Sequence, residues 1–230
     1  VWSRGVIVRM LKRVLEPEVM DTPEDATEYD SMDHSEVNRV FVDDLLAFAG
    51  AGGLTGRILD VGAGTAQIPI ELCRRVADCS VLAADLSPSM IELARANVLT
   101  ADLTDHISPE LIDAKRLPYD DGAFQAVISN SIVHHIPDPT AVLAESVRAT
   151  AAGGLLFFRD LLRPEDDAAV RRLVRHYAGN DTAYQRKLFD DSLRASLTLC
   201  EVRDIVTEFG FDPMSVHTTS DRHWTWQARR

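Results

Sequence analysis

Residues 58–72 read ILDVGAGTAQIPIEL: a short apolar run, a turn built on Gly62 and Gly64, and the opening of a helix. Glycine at both positions lets the backbone bend sharply and approach a ligand with no Cβ in the way. The helix behind the turn aims its free N–H groups at the same point. A strand, turn and helix of this kind is how an α/β sheet holds a nucleotide-like cofactor, so it sets what the rest of the chain must supply.

Outward from that turn, short apolar runs alternate with helical patterns. Strands are expected at 57–61, 80–85, 106–112, 124–129 and 155–159. Helices are expected at 66–77, from the Ser87-Pro88 start, and from Asp138-Pro139 to a stop at Gly153-Gly154. The signal after the third strand is poor for a helix. Such alternation means a mostly parallel α/β sheet with helices on both faces. Segment 161–197 breaks the rhythm and reads as a helical insertion after the fifth strand, two helices separated by Ala178-Gly179-Asn180-Asp181. Thr198-Leu199-Cys200-Glu201 is a capping box whose helix ends at Gly210. The runs 214–219 and 222–228, broken by Ser220-Asp221, form an antiparallel C-terminal hairpin, which brings the strands to seven.

Toward the N-terminus, Val6, Ile7, Met10, Leu11, Val14 and Leu15 recur at helical spacing and predict an amphipathic helix. Residues 16–33, acidic and carrying Pro17 and Pro23, read as an exposed connection. Asp33-His34-Ser35-Glu36 reads as a capping box for a helix with Val37, Val40, Phe41, Leu45 and Phe48 on one face, ended at Gly50–Gly53. The expected division is a helical N-terminal cap segment at 1–53 and one cofactor-binding domain at 54–230.

The chain has 230 residues, 46% hydrophobic and 26% charged, enough for one domain with an elaborated end. Its net charge of −12 repels a phosphate backbone, so no nucleic-acid partner is expected. Cys73, Cys79 and Cys200 make no metal-ligand pattern, and no metal site is read from the sequence. They are expected as reduced thiols. No apolar run approaches the length of a membrane span, and residues 1–15 lack a signal-peptide pattern, so a cytoplasmic location without membrane contact is expected.

A dinucleotide and S-adenosylmethionine compete for the glycine turn. Both call for an acidic residue at the end of the second strand, where a carboxylate accepts two hydrogen bonds from ribose hydroxyls, and Asp85 stands there. The third glycine of the dinucleotide fingerprint is absent, Gln67 following Thr65-Ala66. Asp113-Ala114, after the third strand, offers a carboxylate near where an adenine amino group could donate. The sheet ends in a hairpin rather than a second parallel nucleotide-binding half. With ILDVGAGTAQ, VLAADLSPSMIELARANV and IDAKRLPYDDGAFQAVISNSIVHHIPDP in this order, the chain from about Leu54 onward resembles the class I S-adenosylmethionine-dependent methyltransferases.

That resemblance implies a Rossmann-like sheet of seven strands, the last hairpin reversing one of them. It implies that Gly62, Ala63 and Gly64, with Asp60, face the methionine part of S-adenosylmethionine, that Asp85 holds the ribose and that Leu86 lies on the adenine. It further implies that Asp113 and Ala114 read the adenine edge, that Asn130 sits near the sulfonium, and that S-adenosylhomocysteine is the product. Tyr29 lies in the segment that family members often fold over the cofactor.

Methyl transfer is an in-line displacement at an already activated carbon, so positioning and exclusion of water carry much of the work. His134 and His135 follow the fourth strand at the ligand-binding edge and are the candidate catalytic residues, one of them as a general base. Arg159-Asp160 points to the same edge, toward the acceptor or into a salt bridge within the fold. Arg171, Arg172, Arg175 and His176 lie close together on one expected helix, either meeting an anionic acceptor or forming a solvated face. The leading reading is a methyltransferase with a small-molecule acceptor. The alternatives are a nucleic-acid methyltransferase, which lacks the Asn/Asp-Pro-Pro-aromatic motif here, a module that uses the cofactor for other chemistry, and a dehydrogenase. The sequence does not identify the acceptor, the methylated atom or the oligomeric state.

Overall fold

The apolar run at 58–61 becomes the strand around which the sheet is built. In the computed structural model, which describes residues 11–17, 23–31 and 34–230, seven strands are present. They are β1 (Gly56–Val61), β2 (Cys79–Asp85), β3 (Ile107–Leu111), β4 (Phe124–Asn130), β5 (Thr150–Leu161), β6 (Val216–Thr218) and β7 (His223–Arg229). Their spatial order is β3-β2-β1-β4-β5-β7-β6. The first five are parallel, and β7 runs antiparallel to both β5 and β6. The expected Rossmann-like sheet with a terminal hairpin is therefore present.

Alternation along the strands divides the core in two. Ile58, Val81, Ala83, Ile128 and Phe157 face one side, packed under α2 (Ser35–Ala49), α3 (Gln67–Arg75) and α4 (Pro88–Thr100). Leu59, Val61, Leu82, Val127 and Phe158 face the other, under α5 (Thr140–Ala149) and α8 (Leu199–Glu208). Phe41 of α2 meets Phe157 edge-on at 5.1 Å, and both are fully buried. Truncating such a ring to alanine costs about 3–5 kcal/mol. Strand order reverses between β1 and β4, and the crevice at such a switch point is where an open α/β sheet takes its ligand.

Local signals fixed several boundaries. Ser87 Oγ accepts from Met90 N at 3.2 Å and caps α4, with Pro88 in the first turn. Thr198 and Glu201 form the reciprocal capping box of α8. The insertion is α6 (Asp167–Tyr177) and α7 (Ala183–Ala195), as its pattern predicted.

Four expectations need correction. Residues 11–17 are not helical; they form an extended strap, and the remainder of that expected helix lies outside the described residues. The strap finds its backbone partners on the insertion instead, Leu11 N donating to Glu165 O and Val14 N to Arg194 O. The acidic connection at 16–33 contains a helix, α1 (Pro23–Ser31). Asp33 lies outside the described residues, and His34, without a side-chain capping bond, occupies the N-cap of α2. Gly153 and Gly154 do not stop α5 but lie inside β5. Gly153 takes a φ of +76°, and a Cβ on Gly154 would stand 2.8 Å from the Gln125 carbonyl, so the strand passes an irregularity that needs both glycines.

Candidate active site

A cleft of about 820 Å³, open at its mouth, lies at the carboxyl ends of β1, β2 and β4. Gly62, Gly64, Asp85, Leu86, Asp113, Ala114 and Asn130 line it, so the residues expected around a nucleoside converge. Asp60, Ala63 and Gly64 line its narrow extension toward α3.

Gly62 and Gly64 both take positive φ, +69° and +53°. The space a Cβ would need at Gly62 is held by Ile132, whose Cδ1 would lie 2.1 Å away. The glycine thus admits a side chain from the β4 loop, a reason the sequence did not disclose. Asp85 accepts from Gly64 N through Oδ2 and from Ser87 N through Oδ1, each at 2.9 Å. A carboxylate has about four acceptor positions, so two remain for hydroxyl donors. Burial raises the Asp85 pKa, and these N–H bonds moderate the rise. Asp60 is 2% exposed and receives no hydrogen bond among the described residues. Burial first, then the charge of Asp85, pushes its pKa well up. Beside it the buried Thr65 Oγ1 also lacks a partner. Asp113 is half-exposed, accepts from Lys115 N at 2.9 Å and pairs with Lys115 Nζ at 3.2 Å.

A second, larger cavity, about 1640 Å³ out to its open mouth, adjoins the cleft. Tyr29, Asn130, Ser131 and His135 line both, so they form the junction. Ser131 has a φ of +59°, a left-handed turn that ends β4 there. Tyr29 packs its ring 4.9 Å from that of His34. Loss of water around the phenol, and the carboxylates of Asp85, Asp60 and Asp30, raise its pKa. The far walls come from α7, with Leu188 and Phe189, from the end of α6, with Tyr177, and from the strap, with Glu16.

His134 and His135 occupy a single 3₁₀ turn after β4, on the inner wall of this cavity. Asp160, at the end of neighbouring β5, fixes them. Its Oδ1 lies 2.5 Å from His134 Nδ1 and accepts from Leu161 N at 2.6 Å. Its Oδ2 accepts from Val133 N at 2.5 Å and from His134 N at 3.2 Å. Burial alone would depress His134, but the charge and hydrogen bond of Asp160, with Glu16 beyond, raise its pKa. His135 is pushed down to about 3, by burial first and then by His134. Burial raises Glu16, and His134 opposes that rise.

Arg159 lines neither cavity and forms a salt bridge within the fold, pairing with Asp44 at 2.6 Å and donating to Thr225 at 3.0 Å. Arg171 and Arg175 are exposed, and Arg172 and His176 border a separate groove beside Arg163 and Cys200, so none of the four lines the larger cavity. Sequence reasoning missed Glu16, Ile132 and the partnership of Asp160 with His134. Asp160 alone left a trace, as an acid at a strand end on the ligand edge.

The model of a methyltransferase domain matches residues 59–158. The chain is 31% identical over 200 residues to a malonyl-[acyl-carrier protein] O-methyltransferase of Geobacter sulfurreducens, covering 84% of this chain and 72% of that one. It is 29% identical over 178 residues to a 27-O-demethylrifamycin SV methyltransferase of Amycolatopsis mediterranei, covering 76% of this chain and 61% of that one. The chain spans about half the length of most of the curated relatives it matches. A solved structure described as a putative S-adenosyl-L-methionine-dependent methyltransferase of Methanococcus maripaludis superposes with a TM-score of 0.67. It is 17% identical, with 92% of this chain and 95% of that one covered, and so attests to the fold. From the strand order to the glycine turn and the matched domain, the chain belongs to the class I methyltransferases, whose methyl donor is S-adenosylmethionine.

Proposed function

We propose that this protein transfers the methyl group of S-adenosylmethionine to a small-molecule acceptor held between the strap, α1 and the helical insertion. The observation that carries this reading is the shared wall: Tyr29, Asn130, Ser131 and His135 line both the cleft and the larger cavity. A donor in one and an acceptor in the other would meet there, which is the geometry an in-line displacement needs.

The residues present fit the donor. Asp60 is a buried carboxylate without a donor, next to an unpartnered Thr65 hydroxyl, and an ammonium group such as that of the methionine part would satisfy it. In this reading Gly62, Ala63 and Gly64 carry that part along their backbone and Asp85 takes the ribose hydroxyls on its two remaining acceptor positions. Leu86, 39% exposed, offers an apolar platform to the adenine, whose edge meets Asp113 and Ala114. Tyr29 covers the junction, and Asn130 stands beside the sulfonium. When bound, the donor supplies a methyl carbon on positive sulfur. A lone pair of the acceptor forms the new bond as the carbon–sulfur bond breaks, and the electron pair returns to sulfur as S-adenosylhomocysteine.

His134 and His135 stand on the cavity wall against which the acceptor's reacting group would lie. Asp160 orients His134, and the walls exclude water. Around the cavity Glu16, Glu28 and Asp181 outnumber the one arginine, Arg222, whose guanidinium lies over the Tyr177 ring at 3.4 Å. That balance supports a neutral or cationic acceptor better than an anionic one. No helix among the described residues is long and apolar enough to cross a membrane. We place the reaction in the cytoplasm, on the grounds of three unbridged cysteines.

Calorimetric titration with S-adenosylhomocysteine and with NAD tests the donor. Saturable binding of the first and none of the second is expected, and the reverse overturns the reading. With an acceptor found by screening for S-adenosylhomocysteine release, His134→Ala and His135→Ala are each expected to lower turnover at least tenfold. Unchanged rates in both would remove them from the reaction.

A further inference from the structure

We infer that Glu16, His134 and His135 form a site for a single divalent transition-metal ion of the zinc class, on the inner wall of the acceptor cavity. Glu16 Oε1 lies 3.5 Å from His134 Nε2 and 3.2 Å from His135 Nδ1, and the three atoms all fall within 4.8 Å of one another. Ligand atoms held about 2.1 Å from a common ion stand roughly 3.0–3.4 Å apart in octahedral or tetrahedral geometry. The two measured separations are close to that edge length without any rearrangement.

A hydrogen-bonded cluster would not leave its atoms as these are left. Glu16 Oε1 and His135 Nδ1 are buried, close to each other, and misaligned, so neither has a hydrogen-bond partner. The Glu16 side chain is only 9% exposed, so its carboxylate oxygen is turned away from water toward the two rings. A cation shared among the three atoms would satisfy both orphans at once.

The surroundings are built as outer support for such a site. Asp160 holds His134 Nδ1 at 2.5 Å, which fixes the ring and directs Nε2 toward Glu16. A carboxylate behind a ligating imidazole raises its donor strength and sets its orientation. Arg13 delivers the strap by donating to the carbonyls of His134, Ile136, Pro137 and Ala195, and so fixes Glu16 against the turn. Glu16 and Asp160 bring two carboxylates to the histidine pair, one as a ligand and one behind it. Two imidazoles and one carboxylate suit zinc, cobalt or iron(II) rather than magnesium or calcium, which prefer oxygen ligands. The sequence showed no ligand pattern because Glu16 is far along the chain from the histidine pair.

Three ligands leave coordination positions free on the side of the cavity. An acceptor hydroxyl completing the sphere there would lose its proton to water more readily, and its oxygen would then attack the methyl carbon. That consequence rests on the methyl-transfer reading, but ion binding itself does not. The test uses the full chain, freed of metal by chelation and titrated with Co²⁺ by visible absorption and with Zn²⁺ by calorimetry. One ion per chain is expected, with affinity at least tenfold weaker in Glu16→Gln and in His135→Ala and unchanged in His217→Ala. S-adenosylhomocysteine affinity, read on the same samples, should be unaltered in Glu16→Gln and His217→Ala and so reports the fold. No saturable binding, or binding of equal strength in Glu16→Gln and His135→Ala, overturns the site. Failure of metal binding with S-adenosylhomocysteine still bound leaves the methyl-transfer reading standing, whereas loss of the latter in the unmodified chain strikes that reading instead.

Discussion

Two aspartates buried to the same degree, Asp60 behind the glycine turn and Asp160 behind the His134–His135 turn, live in opposite circumstances. Asp160 accepts from three backbone N–H groups and from the His134 imidazole, and those partners hold its pKa below the ordinary range although burial alone would raise it. Asp60 has none of these, and burial and the charge of Asp85 push its pKa well above that range. A satisfied buried carboxylate is part of the framework, and in the proposed reading the unsatisfied one meets the ammonium group of the methyl donor. Asp160 is thus bonded into the turn that carries His134, whereas Asp60 stands behind a glycine turn that gives it no such donors.

That contrast breaks most visibly in stability. Asp160→Ala strips four polar groups of their acceptor inside the core, and a loss of about 3–5 kcal/mol is expected. Asp60→Asn removes a lone buried charge, and the free protein is expected to hold its stability or gain about 1 kcal/mol. Urea denaturation of both variants measures the pair. Equal losses at the two positions would show that the difference in partners carries no energetic weight.

A smaller effect separates strain from collision at the glycine turn. Gly62→Ala adds a Cβ at a φ of +69° and drives it into Ile132, so a loss of about 2–3 kcal/mol is expected. The double variant Gly62→Ala, Ile132→Ala removes the collision but keeps the backbone strain. It should recover at least 1 kcal/mol relative to the sum of the single changes, a coupling that a thermodynamic cycle isolates. Additive losses would mean that Ile132 is not what Gly62 accommodates.

How much of this was legible follows the same division. The donor wall is made by consecutive strand ends, and its residues announce themselves locally: Gly62 and Gly64 by backbone need, Asp85 by position, Ser87-Pro88 by capping. The acceptor wall is assembled from Glu16, His134, Tyr177, Leu188 and His223, which meet only once the sheet and insertion are folded. No local period encodes such a meeting. The strap shows the reason from another side. Leu11, Val14 and Leu15 have the spacing of a helix, but carbonyls on the insertion take the N–H groups of Leu11 and Val14, and tertiary bonding won. The capping box at Thr198 is legible in the sequence because both of its partners lie within one turn.

The unpartnered state of Asp60 also sets a pH dependence. In the free protein its raised pKa means that protons are bound at pH values where an ordinary carboxylate is ionised. A carboxyl whose folded pKa exceeds its unfolded value costs stability as pH rises from the unfolded pKa to the folded one, and returns it as pH falls. Binding an ammonium group needs the ionised form. Affinity for S-adenosylhomocysteine should therefore climb by up to about tenfold per pH unit below the raised pKa and level off above it. Calorimetry across pH 5 to 8 measures the slope, and Asp60→Asn should flatten it while weakening binding by roughly tenfold. A slope that survives Asp60→Asn would move the titrating group elsewhere.

The smallest effect is expected at the cationic cluster of α6. Arg171, Arg172, Arg175 and His176 do lie together on α6, as their spacing required, yet the helix turns them to solvent and to a groove outside the acceptor cavity. What the same helix gives the cavity is Tyr177, at its last turn, with Arg222 stacked on the ring. Charge on an exposed face is screened within about 8 Å at physiological ionic strength and is worth little to a bound ligand. Arg171→Ser with Arg175→Ser should then leave turnover and acceptor KM within about twofold, whereas Tyr177→Ala removes a wall and should raise KM several-fold with kcat less affected. A large rise in KM from the arginine pair would restore an anionic acceptor, and would mean that the two walls are joined by a long-range field rather than by contact.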